Sequence, residues 1–239
     1  MISIVIPTYM EEGCIETTLR NLKVPGREYE VIVSDSGSPD RTVEIAKRYA
    51  DKIVVLPKGR KRSVAQGRND GARAAKGEYL VFIDADIMIP EPPAFLARAL
   101  AAFARDPRLI GITVRIEHMP ENKRWSDAVV FALRNICFAA MNNVFRFGMA
   151  AGEFQMIKTS AFRATGGFDE NLQASEDIDL FHRLTRFGRV RTIWSLAVFD
   201  AARRFHQRGA FRTAYRWIRN TVTMWLFGRS FDKEWETIR

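Results

Sequence analysis

The sequence predicts an α/β fold in which a Rossmann-like, mostly parallel sheet is flanked by helices. Three observations predict it. Short β-branched runs at residues 2–6, 30–34, 53–56 and 79–83 read as buried strands. Helical stretches near 12–22, 40–49 and 63–75 lie between them, and this alternation gives parallel strands joined by crossovers. With 47% hydrophobic residues, the chain can also bury a substantial core.

The elements follow in order. Ser38 or Asp40 can cap the second helix, and Gly77 closes the third. Pro90, Pro92 and Pro93 open a helix running to about Arg105. Residues 109–115 read as a strand, 125–147 as a long helix, 154–158 as a strand, 176–187 as a helix capped by Ser175, and 190–198 as a strand. The last helix spans 211–227, with Phe211, Tyr215, Ile218, Val222 and Trp225 at 3/4 spacing. No internal repeat, low-complexity tract or linker interrupts the chain, so a single domain over 1–239 is expected.

The net charge is +9, and from Arg203 to Arg239 there are nine Lys/Arg against three Asp/Glu. Such a tail implies an anionic partner, whether phosphate, nucleic acid or an acidic membrane surface, though composition alone favours a solvated helix face. The two cysteines, Cys14 and Cys137, fit no metal spacing and read as small hydrophobes in a reducing compartment. No basic-then-apolar stretch precedes Ile2, and the longest uncharged runs, 135–145 and 220–228, fall short of the eighteen or so residues a membrane span needs. The expected location is the cytoplasm, with contact to the inner face of the cell membrane open to the final helix.

Asp84-Ala85-Asp86 follows the apolar strand at 79–83 directly. Two carboxylates at a strand's end repel unless a cation joins them, and Mg²⁺ or Mn²⁺ binds such acids together with a substrate's phosphate oxygens. The first strand ends in Pro7-Thr8-Tyr9-Met10-Glu11-Glu12 and the second in Ser34-Asp35-Ser36-Gly37-Ser38-Pro39-Asp40. Ligands of doubly wound sheets sit at this edge, so Asp35 is read as facing a base or ribose and Asp40 as a helix start. Arg60, Lys61, Arg62 and Arg68 surround the third helix and offer one or more phosphate ligands, the remainder being surface charge. Glu176-Asp177-Ile178-Asp179 opens a helix with more acid than the helix dipole calls for, so one carboxylate is available as a general base. Arg203 and Arg204 can stabilise charge on a diphosphate. His206 is a candidate metal ligand or a surface histidine.

In this order, Ile4-Val5-Ile6-Pro7-Thr8-Tyr9, Asp35–Asp40, Arg68-Asn69-Asp70-Gly71-Ala72, Ala75-Lys76-Gly77-Glu78-Tyr79, Asp84-Ala85-Asp86, Gly166-Gly167-Phe168-Asp169-Glu170 and Glu176-Asp177 resemble family 2 glycosyltransferases of the GT-A fold. The resemblance implies transfer of one sugar, with inversion, from a nucleoside-diphosphate sugar to an acceptor hydroxyl. It implies a nucleotide held by Pro7, Glu11 and Asp35, a metal at Asp84 and Asp86, and Asp177 as base. Tyr9 and Ala85 lie within the same binding motifs, Arg60, Arg68, Arg203 and Arg204 complete the binding set, and Glu176 stands beside the base. Residues 1–89 would form the nucleotide-sugar half and 90–239 the acceptor half; the acceptor's class is open and includes lipid-linked molecules, but not nucleic acid. The family's paired acids at position 35 are reduced here, with Ser34 in the first place, and the Q-x-x-R-W motif of processive synthases is missing. Two other readings compete. A sugar-phosphate nucleotidyltransferase would need a Gly-rich first loop, where 7–13 has one glycine, and a nucleic-acid-binding protein would leave Asp84, Asp86, Glu176 and Asp177 without a purpose.

Overall fold

The computed structural model describes residues 1–56, 63–119 and 124–232. The expected alternation holds through β1 (Ile2–Thr8), α1 (Ile15–Leu22), β2 (Tyr29–Asp35), α2 (Thr42–Ala46), β3 (Lys52–Val55), α3 (Val64–Ala74) and β4 (Tyr79–Phe82). β1 lies between β2 and β4, β3 extends the sheet beyond β2, and all three pairings are parallel. Side chains of a strand alternate between faces. Ile4 and Ile6 therefore join one core layer with Ile15, Leu19 and Leu22 of α1, while Val5 joins the opposite layer with Ala65 and Ala72 of α3. Both faces are covered, which is why these strands read as unbroken apolar runs.

The second half contributes β5 (Ile87–Met88), α4 (Pro92–Arg105), β6 (Leu109–His118), α5 (Trp125–Asn143), β7 (Gln155–Lys158), α6 (Thr159–Ala164), α7 (Glu176–Leu184), β8 (Arg189–Asp200), α8 (Arg203–Arg208) and α9 (Ala210–Phe227). The eight strands are ordered β3-β2-β1-β4-β7-β6-β8-β5. β6 and β8 are parallel, but β7 runs against both β4 and β6, and β5 runs against β8. The sheet is thus parallel in its first half and mixed in its second.

Several local expectations are corrected. Asp40 starts the second helix by accepting hydrogen bonds from the Thr42 N–H at 3.1 Å and the Thr42 hydroxyl at 2.6 Å, and Ser38 does not cap it. Ser175 does not cap α7 through its side chain: its backbone is left-handed (φ 64°) and its hydroxyl pairs with that of Thr221 at 3.2 Å. The apolar stripe of α9, for which the sequence left membrane contact open, lies on the surface. Phe211 is 66% exposed and Ile218 64%, while Ala210, Thr213, Asn220 and Met224 face inward.

Candidate active site

The ends of β1, β4 and β8, the first turns of α7 and α8, and the facing sides of α5 and α9 enclose a cavity of about 1330 Å³. Pro7, Tyr9 and Glu11 enter it from the β1 edge, Asp84, Ala85 and Asp86 from the β4 edge, Glu176 and Asp177 from α7, and Arg203 and Arg204 from α8. The acidic loop after β4 is held by α1: the Thr18 hydroxyl donates to the Ala85 carbonyl at 2.7 Å, and the Asn21 amide pairs with both backbone groups of Ile89 at 3.0 Å. Residues chosen from separate motifs thus line one space.

Charge in this space is unbalanced. Among the described residues, seven carboxyl groups and four arginines line it. Arg68 is buried and bridges two motifs, donating to Asp84 Oδ1 at 3.0 Å, Glu176 Oε1 at 2.8 Å and the Gly152 carbonyl at 3.2 Å. Burial opposes its charge, but Asp84, Glu176 and Asp177 outweigh that and strengthen its hold on the proton. Arg203 spans Asp86 Oδ2 and Glu11 Oε2, each at 2.8 Å. The Asp84 side chain keeps 39% of its surface open, but to the cavity, and burial together with Glu153 and Asp86 pushes its pKa up to about 6 against the pull of Arg68. Burial, then the charge of Glu176, pushes Asp177 up to about 8. Glu11 and Asp200 shift the same way, burial again being the main cause. A carboxyl group that titrates near neutral pH can take a proton in a reaction.

Three further expected ligands, Asp35, Arg68 and His206, sit in the following settings, and a fourth is not described. Asp35 is buried and turned into its own loop. It accepts hydrogen bonds from the Thr8 hydroxyl (2.9 Å), the Gly37 N–H (2.9 Å), and the N–H (2.7 Å) and hydroxyl (2.6 Å) of Ser38. Those four bonds engage both carboxylate oxygens of Asp35 and hold the turn after β2 together. Arg68 lines the cavity as a buried clamp between Asp84 and Glu176. His206 sits against buried Asp127, its Nε2 3.6 Å from Oδ2, and is not gathered with Asp84 and Asp86. Arg60, with Lys61 and Arg62, lies outside the described residues.

Three charged cavity residues escaped the sequence reading: Glu153, Asp200 and Arg134. Asp200 ends β8 as the Asp84 motif follows β4, and a strand boundary set two residues further on would have found it. Glu153 and Arg134 pair at 2.7 Å across the loop before β7 and the middle of α5, where no local pattern marks either.

The residues fit a divalent cation. Asp84 and Asp86 each give one oxygen to an arginine, leaving a second hard oxygen apiece. No group of three His, Cys, Asp or Glu able to hold a metal occurs among the described residues.

Known proteins resemble the chain in both sequence and fold. The family model described as Glycosyl transferase family 2 matches residues 3–166. Validoxylamine A glucosyltransferase of Streptomyces hygroscopicus subsp. limoneus is 30% identical over 226 residues, covering 81% of this chain and 49% of that protein. The structure of S. aureus TarS 1-349 in complex with UDP-GlcNAc superposes with a TM-score of 0.65 at 20% identity, over 82% of this chain and 57% of that one. The mannosyltransferase PcManGT of Pyrobaculum calidifontis, in complex with GDP-Man and Mn²⁺, gives 0.63 at 23% identity, over 90% and 64%. These solved structures establish the GT-A fold for the chain, which spans about half the length of the curated glucosyltransferases it matches.

Proposed function

The chain belongs to glycosyl transferase family 2, and from that premise we propose that it moves a single sugar from a nucleoside-diphosphate sugar to an acceptor hydroxyl, inverting the anomeric centre with the help of Mg²⁺ or Mn²⁺. The observation that carries the reading is the convergence of Asp84, Asp86, Asp177 and Arg203 on one cavity. Residues 1–89 serve the nucleotide sugar and 90–239 the acceptor, within one domain. Pro7, Tyr9, Glu11 and Ala85 form the wall against which the nucleotide lies.

Asp177 takes the proton of the acceptor hydroxyl as its oxygen attacks the anomeric carbon. The bond from that carbon to the diphosphate breaks on the opposite face, and one displacement gives inversion. Arg203 and Arg204 stabilise the charge on the departing diphosphate. A divalent cation, when bound at Asp84 and Asp86, supplies further neutralisation of that charge. Asp177 suits a base because its pKa, about 8, lies near neutral pH and its carboxylate accepts only the Ile178 N–H, at 2.8 Å, among the described bonds.

The test is a thermal-shift screen of UDP-, GDP- and dTDP-sugars with and without Mn²⁺, followed by transfer or donor hydrolysis in EDTA. Metal-dependent nucleotide binding is expected, and Asp86→Ala should abolish it. Full activity in EDTA overturns the metal-assisted reading.

A further inference from the structure

The loop that leads into Asp177 is not held by α7 itself. No side chain caps the start of that helix, and Ser175, the residue before it, has a left-handed backbone (φ 64°). A residue other than glycine keeps such a conformation only where its surroundings fix it. Gln173, Ala174 and Ser175 form the stretch of cavity wall that runs into Glu176 and Asp177. The Asp177 carboxylate accepts only the Ile178 N–H among the described bonds, so its aim depends on where this backbone lies.

What fixes the backbone comes from beyond α9. The Ser230 hydroxyl accepts the N–H of Gln173 at 2.9 Å and that of Ala174 at 3.0 Å, and it donates to the Ala174 carbonyl at 2.8 Å. A hydroxyl has one donor and two acceptor sites, and here all of them are directed at this loop. Beside it, the Ser175 and Thr221 hydroxyls pair at 3.2 Å, which ties the loop to α9 as well.

Ser230 is itself held in place. Gly228 turns the chain at the end of α9 in a left-handed conformation (φ 64°), and Asp232 then folds back onto the helix. Its N–H donates to Asn220 Oδ1 at 3.0 Å, and its carboxylate accepts from Asn220 Nδ2 at 2.7 Å and Arg216 Nε at 2.5 Å. Asn220 is buried, so the turn that carries Ser230 is anchored in the body of the protein. Ser230 is not among the described residues that line the cavity, and its influence on the site passes through the loop.

We infer that Ser230 is a positioning residue: its hydroxyl holds Gln173 and Ala174 so that α7 presents Asp177 to the acceptor hydroxyl. A misplacement of about 1 Å costs on the order of 10²-fold in rate, so a clip this close to the base governs turnover. This rests on the glycosyltransferase reading and adds to it a residue that lies outside the cavity.

The test uses the full chain with Mn²⁺ and radiolabelled UDP-, GDP- and dTDP-sugars, with water as the acceptor. Water's oxygen bonds to the anomeric carbon, its proton passes to Asp177, and the nucleoside diphosphate leaves. Ser230→Ala, and Ser230→Cys as a variant of nearly native size, should lower kcat roughly ten-fold or more. The donor KM and the thermal shift with UDP or GDP should stay within two-fold. Ser230→Thr, which keeps the hydroxyl, should recover most of the rate. In an Asp177→Asn background Ser230→Ala should cost less than a further two-fold, because no base is left to aim. Backbone amide exchange reads the clip without turnover. Gln173, Ala174 and Asp179, whose N–H donates to the Ser175 carbonyl at 3.0 Å, should exchange faster in Ser230→Ala, with the sheet unchanged. A wild-type kcat in the alanine and cysteine variants, a loss confined to KM, a loss that multiplies with Asp177→Asn, or unchanged exchange each overturns the inference. A wild type that hydrolyses none of these donors sinks the transferase reading, and exchange alone then judges the clip.

Discussion

Glu176 and Asp177 are neighbours in sequence but opposites in role. Glu176 is buried in an ion pair with Arg68 at 2.8 Å, so its carboxylate is committed to holding that guanidinium. Asp177 meets the cavity with no arginine hydrogen-bonded to it in the described structure. Asp177→Asn should therefore lower turnover by roughly 10²–10⁴ and leave nucleotide affinity within a few-fold. Glu176→Gln should instead loosen Arg68 and, through it, Asp84, so its first effect is on metal affinity. If Glu176→Gln abolishes turnover with metal affinity intact, the two roles are exchanged. The acids were legible in the sequence because each short motif sits at a strand end or a helix start. The clamp by Arg68 was not. An arginine on a helix beside other basic residues reads as surface charge, and only the fold shows Gly152 making room for it: a Cβ there would lie 2.5 Å from Arg68 Nη2. The contacts of Asp35 within its own turn were not legible either, since a strand-end carboxylate looks the same whether it faces a ligand or its own turn.

At the scale of elements, the entry to β4 is fixed by close approach. Gly77 donates to the Ser3 hydroxyl at 2.8 Å and accepts from the Thr159 hydroxyl at 2.6 Å, and a Cβ on it would stand 2.6 Å from the Ser3 nitrogen. Its glycine was expected to close a helix, but α3 ends earlier, with Ala75 as the cap. Gly77→Ala should destabilise the fold by about 1–3 kcal/mol, seen as a lower urea midpoint at unchanged slope. A midpoint equal to wild type would show that β1 and β4 can part at no cost. The parallel half of the sheet was readable because each strand is buried on both faces and says so in its own residues. β5 was not, being two residues whose pairing is dictated by β8. α8 was missed because it starts at Ala202, in a left-handed conformation (φ 54°) with no side-chain cap. α6 is six residues long and likewise lacks a side-chain cap.

For the whole molecule, the crowded carboxyls set the response to pH. Asp84 and Asp177 keep their protons to about 6 and about 8 when folded, but release them near roughly pH 4 when unfolded. Between those limits the folded chain binds more protons, so stability falls as pH rises. Glu11 and Asp200 act in the same direction. His118, whose pKa is lowered by burial, acts in the opposite one, gaining stability as pH rises toward its usual range, but it is one group against four. In EDTA the Tm should therefore drop between pH 5 and pH 8.5. Millimolar Mn²⁺ should restore it at pH 8.5, and Asp177→Asn should flatten the profile. A metal-free Tm that climbs with pH across this window contradicts the charge balance described for the cavity.

The place of β7 has a consequence for how the chain is made. β4 ends at Phe82 and its second neighbour begins at Gln155, although the two strands lie side by side in the sheet. During synthesis at roughly 5–20 residues per second, the apolar edge of Leu80, Val81 and Phe82 therefore waits about four to fifteen seconds for its partner. An unpaired strand edge is a template for other chains. The newborn protein is thus most vulnerable to aggregation in that interval, and a chaperone or slower growth temperature should raise its soluble yield more than any change to the finished surface.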